Sequence, residues 1–333
     1  MKIKNKGEFN LKILFMGTPD FAVESLNKLY ESGFEICGVV TTPDRPSGRG
    51  MKLVASPVKE YALEKNLKIF QPEKISKNDE FKNEIKALEP DLVCVVSYGI
   101  ILPKSFLEIP KLGCINVHPS MLPKYRGSAP IQWAILNGDK TTGVTIMYLD
   151  AGMDSGDIIK QQEVNINEDE TTGDLWNRLS KIGAELLLEV TNNINKGIIE
   201  RYPQSKEYTL APMLEKEMSK INWNESANKI KNLVRGLNPI MGTYSFLNDK
   251  KIKLWKIQII SFEEFTKNNG TIDYNTIENG TVLLSNEKLG LFIKAIDGII
   301  SVLEIQGENA KKMNISDFLR GNKIELGERF LSK

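Results

Sequence analysis

Over the first 200 residues, short apolar runs alternate with segments of helical periodicity, and this alternation restricts the fold more than any other property of the chain. Residues 11–16 form an apolar run that ends at Gly17, and 21–30 carry a helical pattern. A second buried strand is expected over 36–40, and a helix over 56–65 with Pro57 in its first turn, where a missing N–H costs nothing. Residues 81–88 read as a helix stopped before Pro90, 91–96 and 112–117 as strands, and 131–136 as a helix. A strand over 144–149 and a long helix over 171–193 complete the series. Apolar strands separated by helices predict an α/β fold: a Rossmann-like, mostly parallel sheet covered on both faces.

The texture changes after Ile199. Residues 201–218 have little periodicity and read as a linker, and 226–237 as one amphipathic helix. Turn-punctuated, strand-like segments follow at 251–260, 280–284, 291–296 and 299–306, the pattern of a small antiparallel, OB-like barrel. A chain of 333 residues is long enough for two such domains. The expected organisation is an N-terminal extension over 1–10, a catalytic domain over 11–200, a linker over 201–218 and the barrel over 219–333.

With 44 basic and 43 acidic residues, the overall balance gives no sign of nucleic-acid binding, so any such case rests on local clusters. Cys37, Cys94 and Cys114 sit in apolar runs without CxxC spacing, as buried, reduced thiols of a cytoplasmic protein do. Residues 1–7 are basic but lack the apolar stretch of a signal peptide, and no run approaches 18 apolar residues, so no membrane partner is expected.

The single imidazole, His118, lies two residues after Asn116 in a predicted strand, so both project from one face while Ile115 and Val117 pack behind them. An amide beside an imidazole offers a donor to a developing oxyanion and an acid/base for a moving proton. The alternative is a histidine hydrogen-bonded at a strand end. In open α/β sheets binding sites form beyond the carboxyl ends of strands. Gly17-Thr-Pro-Asp20, Ser97-Tyr-Gly99 and Asn116-Val-His118 all fall there. GxGxxG, GxxxxGK[ST] and GxSxG are absent, which argues against nicotinamide, P-loop and serine-hydrolase chemistry.

Asp154 follows another strand, in a loop whose Gly152 and Gly156 permit sharp turns and close approach to a ligand. Calcium is the competing reading, but the spacing is not that of an EF-hand and no glutamate closes the loop, so no metal is expected. The connection over 42–57 is long, and Arg45, Arg49 and Lys52 against Asp44 make it locally basic, suited to a polyanion or simply solvated. Strand alternation places Lys251 and Lys253 on one face of the barrel, where they could meet a nucleic-acid backbone, and Trp255 is read as core.

Together these segments, with Lys124-Tyr-Arg-Gly-Ser-Ala-Pro-Ile-Gln132 and Gly152-Met-Asp-Ser-Gly-Asp157, resemble the methionyl-tRNA formyltransferase family, from about residue 11 to near 330. The resemblance implies Asn116, His118 and Asp154 as the catalytic trio. It implies 10-formyltetrahydrofolate as formyl donor and tetrahydrofolate as product, contacted by Ser120, Met121, Leu122 and Pro123. A pterin pocket is implied from Ser97, Tyr98, Gly99 and Ile100 to Leu102. It further implies that the loop around Arg49 recognises the acceptor stem of initiator methionyl-tRNA; the local charge of Arg45 and Lys52 and the shared face of Lys251 and Lys253 are expected to assist, and a monomer is expected. Met121 departs from the family's usual leucine, a change that conserves volume. A folate-dependent formyltransferase acting on glycinamide ribonucleotide or an amino sugar nucleotide would share the trio without needing the Arg49 loop and a basic second domain. A formyltetrahydrofolate hydrolase and a non-catalytic RNA-binding protein are the remaining alternatives.

Overall fold

The computed structural model describes residues 11–47, 52–270 and 272–332. The N-terminal extension and Arg49 lie outside the described residues. The chain forms two compact units. The first runs to Pro130 and adds Thr141–Asn165 and Trp176–Pro212; the second takes Ile131–Lys140, Ile166–Leu175 and Met213–Lys333.

In chain order the elements begin β1 (Lys12–Gly17), α1 (Asp20–Glu31), β2 (Glu35–Val40), β3 (Arg45–Ser47), β4 (Lys52–Val54), α2 (Pro57–Glu64) and β5 (Ile69–Phe70). They continue with α3 (Asp79–Ala87), β6 (Leu92–Val96), α4 (Lys104–Leu107), β7 (Cys114–His118), α5 (Pro130–Leu136), β8 (Thr141–Tyr148), β9 (Ile158–Asn165) and α6 (Thr172–Asn195). Seven strands make one sheet in the order β5-β2-β1-β6-β7-β8-β9. The first five are parallel, and β8 and β9 extend the edge antiparallel. The predicted apolar runs are the central strands: all five residues of β6 are buried. On one face Leu14, Met16, Val93, Val95 and Cys114 pack with Phe81, Ile85 and Phe106 of the covering helices. On the other, Phe21 of α1 meets Trp176 of α6 edge-on at 5.0 Å. Gly183 lets α6 approach Val117, because a Cβ there would lie 2.9 Å from that side chain.

Strand β9 is absent from the pattern expected of the sequence, because its Lys160-Gln-Gln-Glu163 centre has no apolar alternation, as suits a solvated edge strand. Within the long, locally basic connection over 42–57, β3 and β4 pair antiparallel. Ser56 caps α2 by accepting the Lys59 N–H at 3.1 Å, with Pro57 in the first turn as expected.

In the second unit α7 (Ala227–Gly236) precedes β10 (Thr243–Leu247), β11 (Lys250–Ile260), α8 (Phe262–Asn269), β12 (Val282–Asn286), β13 (Gly290–Lys294), β14 (Ile299–Gln306), β15 (Met313–Asn314) and α9 (Ile315–Gly321). The antiparallel order is β10-β11-β14-β13-β12, with β15 beside β14. The C-terminal segment closes this sheet into a ring. Leu331 exchanges backbone hydrogen bonds with Phe246 of β10, while Phe330 donates to Gly280 O and Glu328 O accepts from Val282 of β12. Closure removes both sheet edges and encloses a core of Ile252, Leu254, Leu291, Ile293, Val302 and Phe330. Trp255 is outside that core, contrary to the sequence reading. It is half-buried, its indole N–H donates to Gln306 Oε1 at 2.9 Å, and Lys253 and Lys312 lie over its ring. Trp255 has the same strand parity as Lys251 and Lys253, so it takes the outer face.

Candidate active site

The winding of the sheet reverses between β1 and β6, the position at which α/β sheets open a crevice beyond their carboxyl ends. Gly17 pairs with Val96 at that point, and a Cβ on Gly17 would lie 2.6 Å from the Ala22 Cβ. Beyond β6, Ser97 (φ 47°) and Gly99 (φ 80°) turn the chain sharply. Tyr98 and Leu102 are buried, Ser97 and Ile100 half-buried, and Gly99 exposed. The Tyr98 hydroxyl is buried without a hydrogen-bond partner among the described residues, and burial pushes this phenol up to about 12.

Because β6 and β7 are adjacent and parallel, residues 97–102 and 119–123 leave the sheet side by side. The second segment is fixed from below by Thr145 of β8. Its hydroxyl donates to Ser120 O at 2.7 Å and accepts from Leu122 N at 3.1 Å and Gln161 Nε2 at 2.9 Å. Gln161 also donates to Leu122 O at 2.8 Å, and the Ser120 hydroxyl donates to Lys124 O at 2.7 Å. Ser120 and Leu122 are buried, Met121 and Pro123 half-buried.

Asn116 pairs with Met147 and His118 with Thr145 across β7 and β8, so the two side chains share a face as the alternation predicts. Ile115 and Val117 are buried on the other. Asn116 is half-buried, and His118 only 4% exposed. His118 Nε2 lies 2.9 Å from Tyr125 O. A carbonyl only accepts, so Nε2 carries the proton in that bond. His118 Nδ1 then faces Asp154 Oδ2 at 3.6 Å, although the two residues are 36 positions apart in sequence. Asp154 adopts φ 49°, and its Oδ2 also accepts the Gly127 N–H at 2.8 Å. The loop can make this turn because Gly156 passes the backbone of Tyr148 too closely for a side chain: a Cβ would lie 1.9 Å from Tyr148 O.

The structure therefore brings His118 and Asp154 together, with Asn116 on the same strand face. Two contributors escaped sequence reasoning. The Tyr125 carbonyl, which orients the imidazole, leaves no trace in a side-chain pattern. Gly127 sits at φ 125° with space only for hydrogen, the one signal of its role being the glycine itself.

Arg45 opens the exposed hairpin, and Lys52 begins its second strand. Lys251 and Lys253 alternate with buried Ile252 and Leu254 on β11, on one face as expected. Lys251 lies over the Tyr244 ring at 3.7 Å. Among the described residues no three His, Cys, Asp or Glu side chains gather as a metal site, and no helix is long and apolar enough to cross a membrane.

Residues 11–191 match the formyl transferase family and 213–323 the formyl transferase C-terminal domain. A methionyl-tRNA formyltransferase of Clostridioides difficile is 46% identical over 318 residues, covering 95% of this chain and 99% of that protein. One from Thermodesulfovibrio yellowstonii is 46% identical over 315 residues, covering 95% and 97%. Among solved structures, an N-formyltransferase from Helicobacter canadensis in complex with folinic acid and dTDP-3-aminofucose has the same fold, with a TM-score of 0.63 at 23% identity over 88% of this chain and 99% of that one. The chain belongs to the methionyl-tRNA formyltransferase family.

Proposed function

We infer that this chain transfers the formyl group of 10-formyltetrahydrofolate to the α-amino group of methionyl-initiator tRNA, giving formylmethionyl-tRNA for translation initiation. The observation that carries the reading is near-full-length similarity to methionyl-tRNA formyltransferases in a chain whose only histidine meets Asp154 at the carboxyl edge of the sheet.

In this reading the first compact unit performs the transfer and the second holds tRNA. The folate supplies a formyl group on N10. Ser97–Leu102 and Ser120–Pro123 hold it, an assignment supported by the unpaired Tyr98 hydroxyl and by the adjacency of the two segments. The methionyl α-amino group, with a pKa near 8, is partly unprotonated at neutral pH and attacks the formyl carbon. Asn116 donates to the oxyanion that develops on the formyl oxygen, contributing about 3 kcal/mol as one well-placed donor. Hydrogen bonding of Nε2 to Tyr125 O leaves Nδ1 of His118 to take the amine proton. Asp154 stabilises the resulting imidazolium, which returns the proton to departing N10. Arg45 and Lys52 of the hairpin and Lys251 and Lys253 of the barrel, together with Arg49, contact the tRNA backbone; the shared outward face of the β11 lysines supports this assignment. No metal takes part, and the enzyme is a cytoplasmic monomer.

The test is formyl transfer from 10-formyltetrahydrofolate to methionyl-initiator tRNA, compared with free methionine and with a dTDP-linked amino sugar. Strong preference for the tRNA is expected. Equal turnover of the small amines would overturn the reading.

A further inference from the structure

The two matched family segments leave 192–212 between them, and 201–212 belongs to the stretch that reads as a linker. In the structure this part of the chain is bonded to the first unit, beside the site. Thr209 O accepts from Arg126 N at 2.9 Å, Ala211 donates to Arg126 O at 2.7 Å, and Ala211 O accepts from Ala129 N at 3.1 Å. The Thr209 hydroxyl accepts the Tyr125 N–H at 2.9 Å. The segment thus pairs with the turn that supplies the Tyr125 carbonyl to His118 and the Gly127 N–H to Asp154.

Gln204 joins that turn to the Asp154 loop. Its amide nitrogen donates to Asp154 O and to Gly156 O, both at 2.8 Å. Its amide oxygen accepts from Arg126 Nε at 3.0 Å and from a terminal Arg126 nitrogen at 2.7 Å. Tyr208 covers the same guanidinium at 4.5 Å. The four polar contacts of this one amide thus tie the backbone of the Asp154 loop to the side chain of Arg126, whose neighbours Tyr125 and Gly127 contact His118 and Asp154. A glutamine is the neutral side chain that can donate on one side and accept on the other at this reach.

We propose that Gln204 is a positioning residue for formyl transfer, holding the Asp154 carboxylate at the His118 ring through the Asp154 and Gly156 carbonyls on one side and Arg126 on the other. This rests on the assignment of His118 and Asp154 as the reacting pair. The effect of Gln204 passes through the 154–156 backbone, to which its amide nitrogen is hydrogen-bonded.

The experiment measures kcat, KM and the pH profile of kcat for Gln204→Ala and Gln204→Glu, with thermal melting to establish folding. Asp154→Ala is the control for the underlying assignment. Both Gln204 variants are expected to lose about tenfold or more in kcat, as small misplacements of reacting groups do. KM for both substrates should stay near the parent value, and the pH profile should shift because the carboxylate no longer has a fixed distance to the ring. Gln204→Glu still accepts from Arg126 but cannot donate to the carbonyls, so a return of parent kcat and pH profile in that variant would overturn the proposal. So would parent behaviour in a folded Gln204→Ala protein, or loss of the melting transition in both variants, which would mark a purely structural role. If Asp154→Ala keeps parent turnover, the reacting-pair assignment fails. If it loses turnover while both Gln204 variants keep theirs, only the positioning role fails.

Discussion

Gly127→Ala is the change that most sharply separates geometry from chemistry in this site, because it adds one methyl group and removes no functional atom. Gly127 sits at φ 125°, which L side chains rarely adopt, and its Cβ would lie 2.7 Å from the backbone oxygen of Ala211. That neighbour cannot yield as a flexible side chain would, since Ala211 is itself bonded to Arg126 and Ala129. The backbone conformation alone costs about 1–3 kcal/mol. Relief requires residue 127 to move, and its N–H is the donor 2.8 Å from Asp154 Oδ2. A displacement approaching 1 Å at this point reaches the reacting groups and reduces turnover by about 100-fold. Urea unfolding gives the stability term, and single-turnover formyl transfer with saturating substrates gives the rate. A variant within about 0.5 kcal/mol of the parent and within about twofold in rate would show that the turn accommodates a side chain without disturbing Asp154.

Thr145→Val should destabilise by about 1–3 kcal/mol in urea unfolding, because it leaves Leu122 N and Ser120 O without their shared partner, and should raise KM for the folate; parent values of both would count against the role given to the 120–123 segment. Tyr98→Phe should leave stability within about 1 kcal/mol of the parent or raise it, since the hydroxyl has no partner among the described residues, while weakening folate binding; unfolding at markedly lower urea would contradict this. Burial pushes the thiols of Cys37 and Cys114 up to about 11 and about 12, and that of Cys94 higher as well. With folded pKa values above the unfolded ones, the folded chain holds protons that the unfolded chain releases, so this stability is fully present below about pH 9 and is lost as pH rises through 11 to 12. Urea midpoints should therefore fall on the alkaline side, and the thiols should react slowly with a disulfide reagent at pH 8 until urea exposes them; rapid labelling of all three in the native protein would overturn the burial argument.

The parallel part of the sheet was legible because buried strands are apolar runs: the ranges read at β1, β2, β6 and β7 coincide with the observed strands to within a few residues. Elements without that contrast were not legible. Strand β9 is polar at the sheet edge, β5 has two residues, and the β3–β4 hairpin is short. Barrel closure depends on residues 327–331, whose pairing is non-local and leaves no periodic signal. Period-two alternation foretold the shared face of Asn116 and His118, and Asp154, named through the resemblance of its loop, lies 3.6 Å from the His118 ring. The Tyr125 carbonyl, the Gly127 N–H and Gln204 were not visible, because backbone groups and one amide in an aperiodic segment acquire these contacts only when the chain folds back. Trp255 was misjudged by residue type, although its strand parity with Lys251 and Lys253 points outward.

If His118, held by Tyr125 O and faced by Asp154, shuttles the proton during formyl transfer, removing its ring slows the chemical step. His118→Ala tests it directly through the single-turnover rate of formylation of methionyl-initiator tRNA. A loss of at least about 100-fold is expected in a variant that still folds and still binds the folate. A rate within about twofold of the parent would contradict it.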